Sequence, residues 1–159
     1  MLPAGSSVTN EYSAFGVEFS PNLVYENLPV SPLPNIDGQH VRNFFPTVNP
    51  FSIEFTNNVS SAAFSLATNP GTSTFTALLG GVVVESFSAA TTIFDPENFF
   101  GFTDIVFDEV QVQVGGGGGL MRMDNIQFEV AATPEPASLL GLLLVAAGTG
   151  YSLKRKKTA

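Results

Sequence analysis

The fold class of this chain is decided by Phe51-Ser52-Ile53-Glu54-Phe55-Thr56, in which apolar and polar residues alternate strictly. Successive side chains of a β-strand point to opposite faces, so this pattern puts Phe51, Ile53 and Phe55 on one buried face. No amphipathic helix pattern occurs in the first 130 residues. We therefore predict an all-β domain.

Similar strand patterns lie on both sides of this stretch and are separated by turn residues. They cover residues 16–20, 22–26, 62–66, 74–79, 82–87, 102–114 and 121–128. About eight to ten short strands at this spacing predict an antiparallel two-sheet sandwich, jelly-roll-like, over residues 1–130. Such a sandwich usually brings its first and last strands side by side, and we expect that arrangement here.

The connections between the strands carry signals of their own. Gly80-Gly81 is the strongest hairpin signal in the chain, and Asn57-Asn58 predicts a bend. A proline-rich loop ends at the turn pair Asp37-Gly38. The run from Gly115 to Gly119 predicts a flexible hairpin loop. Because no Gly-Lys-Ser or Gly-Lys-Thr follows that run, we exclude a phosphate-binding loop.

Composition and charge exclude several kinds of chemistry and of binding partner for this protein. The chain has 159 residues, of which 15 are Phe and none is Cys, and this excludes disulfides, thiolate catalysis and Cys-ligated zinc. Residues 1–133 hold 13 acidic residues and two basic ones, Arg42 and Arg122, and so carry a charge of about −11. Such a domain repels nucleic acid and anionic lipid. Its acidic surface suits calcium, cationic partners or simple solubility.

The composition changes after Val130. Residues 131–136 form a stiff linker that contains Pro134-Glu135-Pro136. Residues 137–153 are uncharged and rich in Leu. As a helix they would span about 25 Å, slightly less than the apolar thickness of a bilayer. This pattern predicts a transmembrane helix, and the alternative is a buried helix of the globular domain.

A basic tail follows the apolar residues. It covers residues 154–159 and contains Lys154-Arg155-Lys156-Lys157. Positive residues beside a membrane span stay on the cytoplasmic side, so the tail is expected in the cytoplasm and residues 1–133 outside. A basic cap of this kind also argues against a buried globular helix.

Pro134-Glu135-Pro136, the apolar stretch and the terminal basic cluster stand in the order found in PEP-CTERM sorting signals, which this segment resembles. Segments of this kind are also called the ice-binding protein C-terminal domain, although no ice binding follows from that name. The resemblance implies export across the inner membrane of a Gram-negative bacterium or cyanobacterium. It also implies cleavage near Pro-Glu-Pro by exosortase, a membrane transpeptidase, and delivery to the cell surface or extracellular matrix.

Proteins with such a signal normally begin with a secretory signal peptide. Residues Met1 to Ser7 have neither a basic nor an apolar region of that kind. Two explanations stay open, a start assigned too far downstream and a truncated gene. We expect the first, because the opening residues already read like the edge of a folded domain.

The domain itself resembles the jelly-roll modules that often precede PEP-CTERM signals. The residues that carry this resemblance are Val8-Thr9-Asn10-Glu11-Tyr12, Gly16-Val17-Glu18-Phe19, Phe99-Phe100-Gly101-Phe102 and Met123-Asp124-Asn125-Ile126-Gln127-Phe128. Such modules look like carbohydrate-binding domains, and similar ones often hold a structural calcium between their first and last strands. The resemblance therefore implies extracellular polysaccharide as a partner.

Two carboxylates are candidates for a calcium site. If the first and last strands are neighbours, Glu11 and Asp124 converge on one cation. Ca²⁺ takes about six to eight oxygen ligands, which Asn10, Asn125 and backbone carbonyls could complete. The alternative is that Asp124-Asn125 only organises the entry to the last strand through side-chain-to-backbone hydrogen bonds.

The sequence contains no recognisable catalytic motif, and we predict that the protein is not an enzyme. His40, the single histidine, reads as a loop-end residue without a chemical role, and no serine lies in a Gly-x-Ser-x-Gly elbow. Asp95-Pro96-Glu97-Asn98 reads as a polar turn. Sugar stacking also has little aromatic support, because Trp is absent and the domain has only Tyr12 and Tyr25.

These observations predict an exported surface or matrix protein with a structural or adhesive, non-catalytic role. A calcium-dependent carbohydrate-binding module for extracellular polysaccharide is the alternative. A secreted enzyme fragment is a third interpretation, since paired carboxylates are defined only by their spacing in three dimensions.

Overall fold

A computed structural model describes most of the domain. The described residues are 2–19, 23–28, 32–43, 50–116 and 120–132. The sorting signal at Pro134-Glu135-Pro136, the predicted helix 137–153 and the basic tail 154–159 lie outside them. Within the described ranges, no helix has the length and apolar character that crossing a membrane requires.

Nine strands make up the described part of the chain. In chain order they are β1 (Ser7–Val8), β2 (Val17–Phe19), β3 (Leu23–Leu28), β4 (Gly38–Asn43), β5 (Phe51–Thr68), β6 (Gly71–Leu79), β7 (Val82–Thr91), β8 (Phe99–Gln113) and β9 (Met121–Val130). Every strand pair among them is antiparallel. The prediction of an all-β antiparallel domain is confirmed.

The strands form one hydrogen-bonded sheet in the order β1-β3-β4-β9-β5-β8-β6-β7, and β2 pairs with β5. The first strand therefore lies three places from the last, and the prediction that they are neighbours is wrong. The hairpin of β3 and β4 takes the place beside β9, because Val41 and Arg42 pair with Met123 and Arg122. β1 then pairs with β3, on the outer side of that hairpin.

The two long strands β5 and β8 bend sharply. Phe75 of β6 lies opposite Val112 of β8, yet its ring centroid is 4.8 Å from that of Phe100, which belongs to β8 as well. In a straight strand, the 12 residues from Phe100 to Val112 would cover about 40 Å. The strand must therefore turn back, and the two portions of the sheet face each other in a sandwich-like arrangement.

Irregular pairing marks the bend in β5. Its register shifts between Glu54 and Val59 and again between Val59 and Ser61. Buried side chains fall on odd positions up to Val59; from Ala62 every even position is buried, and the odd positions Ser65 and Ala67 are buried as well. An extra residue in a strand bends it and reverses its alternation, so both halves of β5 face the core. The Asn57-Asn58 bend predicted from the sequence is an irregularity inside one continuous strand.

Phenylalanine rings fill the space between the facing portions. Phe75 is fully buried and stacks almost parallel on both Phe87 and Phe100, with centroids 4.9 and 4.8 Å away. Further ring contacts extend this cluster in both directions, through Phe64, Phe102, Phe107, Phe55 and Phe128. The high Phe content of the chain is therefore largely a core property.

Two glycine-rich stretches behave differently. Gly80 and Gly81, with φ of 57° and 79°, close the predicted β6–β7 hairpin as a two-residue turn, and Leu79 pairs with Val82. In the predicted flexible loop, a Cβ on Gly115 would clash with the backbone carbonyl of Thr72. The described start of that loop is thus packed against β6, and residues 117–119 lie outside the described ranges.

Two strands escaped sequence analysis, the two-residue β1 and the longer β4. Residues that read as the end of a proline-rich loop form β4, in which His40 is 3% exposed. The prediction of a loop-end histidine is therefore wrong. Four of the six residues in β4 carry polar side chains, so the strand lacks the alternation of apolar and polar residues by which the predicted strands were recognised.

Replacing Phe75 with Ala should cost about 3–5 kcal/mol of unfolding free energy, since the cavity would lie between three rings. Phe94→Ala is the matched control, because Phe94 is 67% exposed. It should change the unfolding free energy by less than about 0.5 kcal/mol. Urea denaturation of the full-length chain followed by circular dichroism measures both. Equal effects would contradict the proposed core.

Candidate functional site

A cleft of about 290 Å³ opens between residues 12–19, β4 and β9. We call it the Tyr12 cleft. Its wall is mainly apolar, and the polar residues Gln39, His40, Asp124 and Asn125 are part of its lining. Concave, largely apolar sites with a few polar groups are the usual form of small-molecule binding sites.

Aromatic rings form the outer wall of the Tyr12 cleft. The Tyr12 ring centroid lies 6.4 Å from that of Phe15 and 6.1 Å from that of Phe19, which it meets edge-on. Phe15 is 74% exposed, unlike the core phenylalanines. A single 3-10 turn over Ser13–Phe15 presents it, and Gly16 ends that turn in the left-handed region at φ 88°.

The hydroxyl of Tyr12 is held in its neutral form. Burial is the largest cause that raises its pKa, followed by the effects of Tyr25, Glu11 and Asp124. Asp124 lines the cleft together with Tyr12, whereas Glu11 is not among the residues that line it. A neutral phenol can both donate and accept a hydrogen bond in the cleft.

The two predicted calcium ligands have different surroundings. Glu11 is exposed, and one oxygen accepts a 2.6 Å hydrogen bond from the backbone N–H of Thr9, the main cause that lowers the pKa of this carboxyl. Asp124 accepts backbone hydrogen bonds from Asp37 at 2.9 Å and from Asn125 at 2.7 Å. Its carboxylate thus links β9 to the residues before β4.

Asn125 strengthens this link. It lies in the left-handed region at φ 53°, where the register of β9 against β5 shifts, and its side chain donates to the carbonyl of Asn35 at 2.8 Å. The Ser65 hydroxyl lies 2.7 Å from the same carbonyl and 2.9 Å from that of Asp124. β9 begins at Met121, so Asp124-Asn125 does not lie at the entry to that strand. The pair instead stabilises the irregularity inside β9.

The calcium site itself stays a prediction. Among the residues that the structure describes, no group of three or more His, Asp or Glu side chains is placed to hold a metal ion. A site at Glu11 and Asp124 would therefore need amide and backbone oxygens for most of its ligands. Calcium accepts such oxygens readily.

The turn at residues 95–98 is also tied to the loop before β4. The backbone N–H of Glu97 donates to Asp95, which closes a local turn at 2.9 Å. Asn98 is fully buried, and its side chain donates to the carbonyl of Pro34 and accepts from Asn35. The structural role of Asn98 could not be read from the sequence, because its partners lie more than 60 residues away.

A charged cluster that sequence analysis missed lies next to the Tyr12 cleft. Glu26 of β3 accepts a hydrogen bond from Nε of Arg122 at 3.0 Å, lies 3.0 Å from Nε2 of His40, and forms an ion pair with Arg42 at 3.1 Å. The strand register brings these four side chains together, because Glu26 lies opposite His40 and Arg42 lies opposite Arg122. We call these four residues the Glu26 cluster.

The Glu26 cluster keeps its carboxylate ionised. Burial, the largest single influence, would raise the pKa of Glu26. Hydrogen bonds from Arg122 and His40, with the positive charges of the two arginines, outweigh burial and lower this pKa below its ordinary value. The sequence offers one indication of this cluster. Residues 1–133 contain 13 acidic residues and only two basic ones, so each arginine is expected to pair with a carboxylate.

Glu26→Gln should lower the unfolding free energy at neutral pH by about 1–3 kcal/mol, because it leaves two arginines without their carboxylate. Since folding lowers the pKa of Glu26, its stabilising effect is complete above the ordinary carboxyl pKa and is lost as pH falls through the folded value. The difference between the two proteins should therefore shrink below about pH 4. Urea denaturation across this range measures it.

Glu97→Gln provides the control, because Glu97 is exposed in a turn. Its effect should stay small at every pH. A Glu26 variant whose stability deficit does not change with pH would contradict the role assigned to this carboxylate.

Comparison with known proteins adds no family to these observations. No protein-family model matches the chain, and no curated protein matches it significantly. The interpretation of the Tyr12 cleft and the Glu26 cluster therefore depends on their geometry and on the sequence.

Proposed function

We propose that this chain is an exported surface or extracellular-matrix protein, sorted by a PEP-CTERM-type signal, with a structural or adhesive role. The observation that carries this proposal is the order of Pro134-Glu135-Pro136, the apolar residues 137–153 and the basic residues 154–157. Exosortase and the inner membrane are the partners that this order implies. The final destination would be the surface or matrix of a Gram-negative bacterium or cyanobacterium.

The end of the folded domain is compatible with such processing. The last strand ends at Val130, and Ala131 makes one more backbone hydrogen bond, to Asn58 at 2.8 Å. Two residues separate this bond from Pro134. Cleavage near Pro-Glu-Pro would therefore leave every described strand intact.

We further propose that the domain is a two-sheet, jelly-roll-like sandwich. The bends in β5 and β8 support this proposal, because each of these strands takes part in both facing portions of the sheet. The ring contacts between Phe75 and Phe100 and between Phe55 and Phe128 also support it. A rigid, cysteine-free core of this kind needs no oxidation step after export.

A non-catalytic role agrees with the surroundings of the single histidine. Both ring nitrogens of His40 already face oxygen atoms, those of Gly38 at 3.2 Å and Glu26 at 3.0 Å. The residue is also 3% exposed. A histidine that acts as general base must reach the proton of a bound substrate, and this one is occupied within the domain.

The sorting proposal is tested in a host that has exosortase, with the chain placed behind an intact secretory leader. We expect C-terminal shortening, seen by mass spectrometry, and accessibility to a protease added outside the cells. Replacing Pro134-Glu135-Pro136 by Ala-Gln-Ala should leave the full-length chain in the inner membrane, since the processing enzyme would lose its recognition residues.

Pro96→Ala combined with Glu97→Gln is the control, because it makes the same types of change, with one proline fewer, in an exposed turn. This control should be processed normally. An unshortened, intracellular parent chain, or equal processing of all three proteins, would contradict the proposal.

A calcium-dependent carbohydrate-binding module is the second candidate. The specific observation in its favour is that the exposed Phe15 and the neutral Tyr12 line a cleft together with Asp124 and Asn125. Aromatic faces pack on the apolar faces of sugars, and amide and carboxylate groups bind their hydroxyls. Calcium at Glu11 and Asp124 would order the same side of the cleft.

Polysaccharide retention in affinity electrophoresis tests this candidate. Phe15→Ala should weaken retention at least about tenfold if the ring stacks on sugar. Phe94→Ala, which removes an equally exposed ring outside the cleft, should have no effect. Equal retention of both variants would reject the Tyr12 cleft as the binding site.

The calcium component is measured separately, as the shift of melting temperature between added Ca²⁺ and a chelator. The parent chain should be stabilised by Ca²⁺, and Glu11→Gln with Asp124→Asn should abolish the shift. No shift in the parent chain would end the calcium component, whatever the polysaccharide result.

A further inference from the structure

A second cavity, of about 160 Å³, is lined by Arg42 and Asn43 of β4 and by Met121 and Arg122 of β9. The Tyr12 cleft uses other residues of the same strands, residues 39–41 of β4 and residues from Met123 onward in β9. Leu33, Ile93 and Leu120 contribute apolar walls, and Arg42 and Arg122 contribute the charged wall. We call this cavity the arginine pocket. Among the residues that the structure describes, none lines both this pocket and the Tyr12 cleft.

The placement of the two arginines is unusual for this domain. They are the only Lys or Arg residues among residues 1–133, and they lie directly opposite each other on β4 and β9. Like charges in directly opposed positions destabilise a strand pair. Both side chains remain about one-third exposed, at 28% for Arg42 and 33% for Arg122.

Glu26 compensates only part of this positive charge. It pairs with both arginines through their Nε atoms, so one carboxylate faces two guanidinium groups. The three side chains together carry one net positive charge beside the cavity. In a domain of about −11, this is the place where a single negative charge is best accommodated.

We propose that the arginine pocket binds a carboxylate carried on a single six-membered ring. Guanidinium groups bind carboxylates in a fixed planar geometry, and the apolar walls at Leu33, Ile93 and Leu120 suit the face of a ring. The volume also fits, since a cavity of about 150 Å³ accepts benzene. This site is independent of the sorting signal and of the Tyr12 cleft.

The charge balance favours a monoanionic carboxylate over a dianionic phosphate monoester. A dianion would meet one net local positive charge and the repulsion of the remaining acidic domain. A monoanion neutralises the local charge completely. Two classes of ligand share this chemistry, sugar acids and aromatic acids, and the experiment distinguishes them.

The full-length chain in neutral detergent is titrated with glucuronate and, separately, with benzoate, while backbone amides of Leu120 and Arg122 are followed by NMR. Glucose and benzyl alcohol are the uncharged counterparts. At least one carboxylate should bind about tenfold or more tightly than its counterpart. Preference for glucuronate would identify the ligand as a sugar acid, and preference for benzoate would identify an aromatic acid.

Leu120→Asp is the decisive variant, because it adds a negative charge at the rim and leaves the Glu26 ion pairs intact. It should weaken carboxylate binding at least about tenfold. Val106→Asp is the matched control, since Val106 of β8 is similarly exposed (45% against 42%) and does not line the pocket. It should bind like the parent chain.

Arg122→Gln adds a second readout and should also weaken binding, with its folding verified by circular dichroism. The inference is overturned if neither carboxylate binds better than its uncharged counterpart. It is equally overturned if Leu120→Asp and Val106→Asp bind alike, because binding would then occur elsewhere on the chain.

Discussion

Contact between phenylalanine rings holds the two facing portions of the bent sheet together. Phe75 can stack on Phe100 only if β8 turns back on itself, and Phe55 can reach Phe128 only if β5 does the same. The strand irregularities near Val59 are the places where this bending occurs. Burial of apolar rings offsets the lost ladder hydrogen bonds, because each ring removes a large apolar area from water.

The two concave regions both lie along the pairing of β4 with β9, which stands between β4 and β5 in the sheet. Asp124 and Arg122 of β9 lie beside residues of β4 there. The Tyr12 cleft uses residues 39–41 of β4, and the arginine pocket uses Arg42 and Asn43. The two sites differ in their chemistry. The Tyr12 cleft is lined by aromatic rings and by neutral and acidic polar residues. The arginine pocket is lined by both arginines of residues 1–133, which are otherwise acidic.

Strand prediction succeeded where the alternation was local. Phe51, Ile53 and Phe55 are buried as expected, and the Gly80-Gly81 turn closes the expected hairpin. It failed for β4, because polar side chains in that strand are compensated by partners on β3 and β9. His40 is buried only because Glu26 lies opposite it, and nothing in the local sequence around either residue indicates that pairing.

Residue order alone indicates the strand-rich character of the domain, its acidic charge, and the resemblance of its last residues to a sorting signal. These properties depend on residue type and short-range order, since side-chain alternation repeats every two residues. Three features become visible only in the folded chain: the order of the strands, the positions of the bends in β5 and β8, and the pairing of Glu26 with Arg42 and Arg122. Those features depend on packing between residues that are far apart in the chain. Many strand pairings would satisfy the local alternation, and burial of the phenylalanine rings selects one of them.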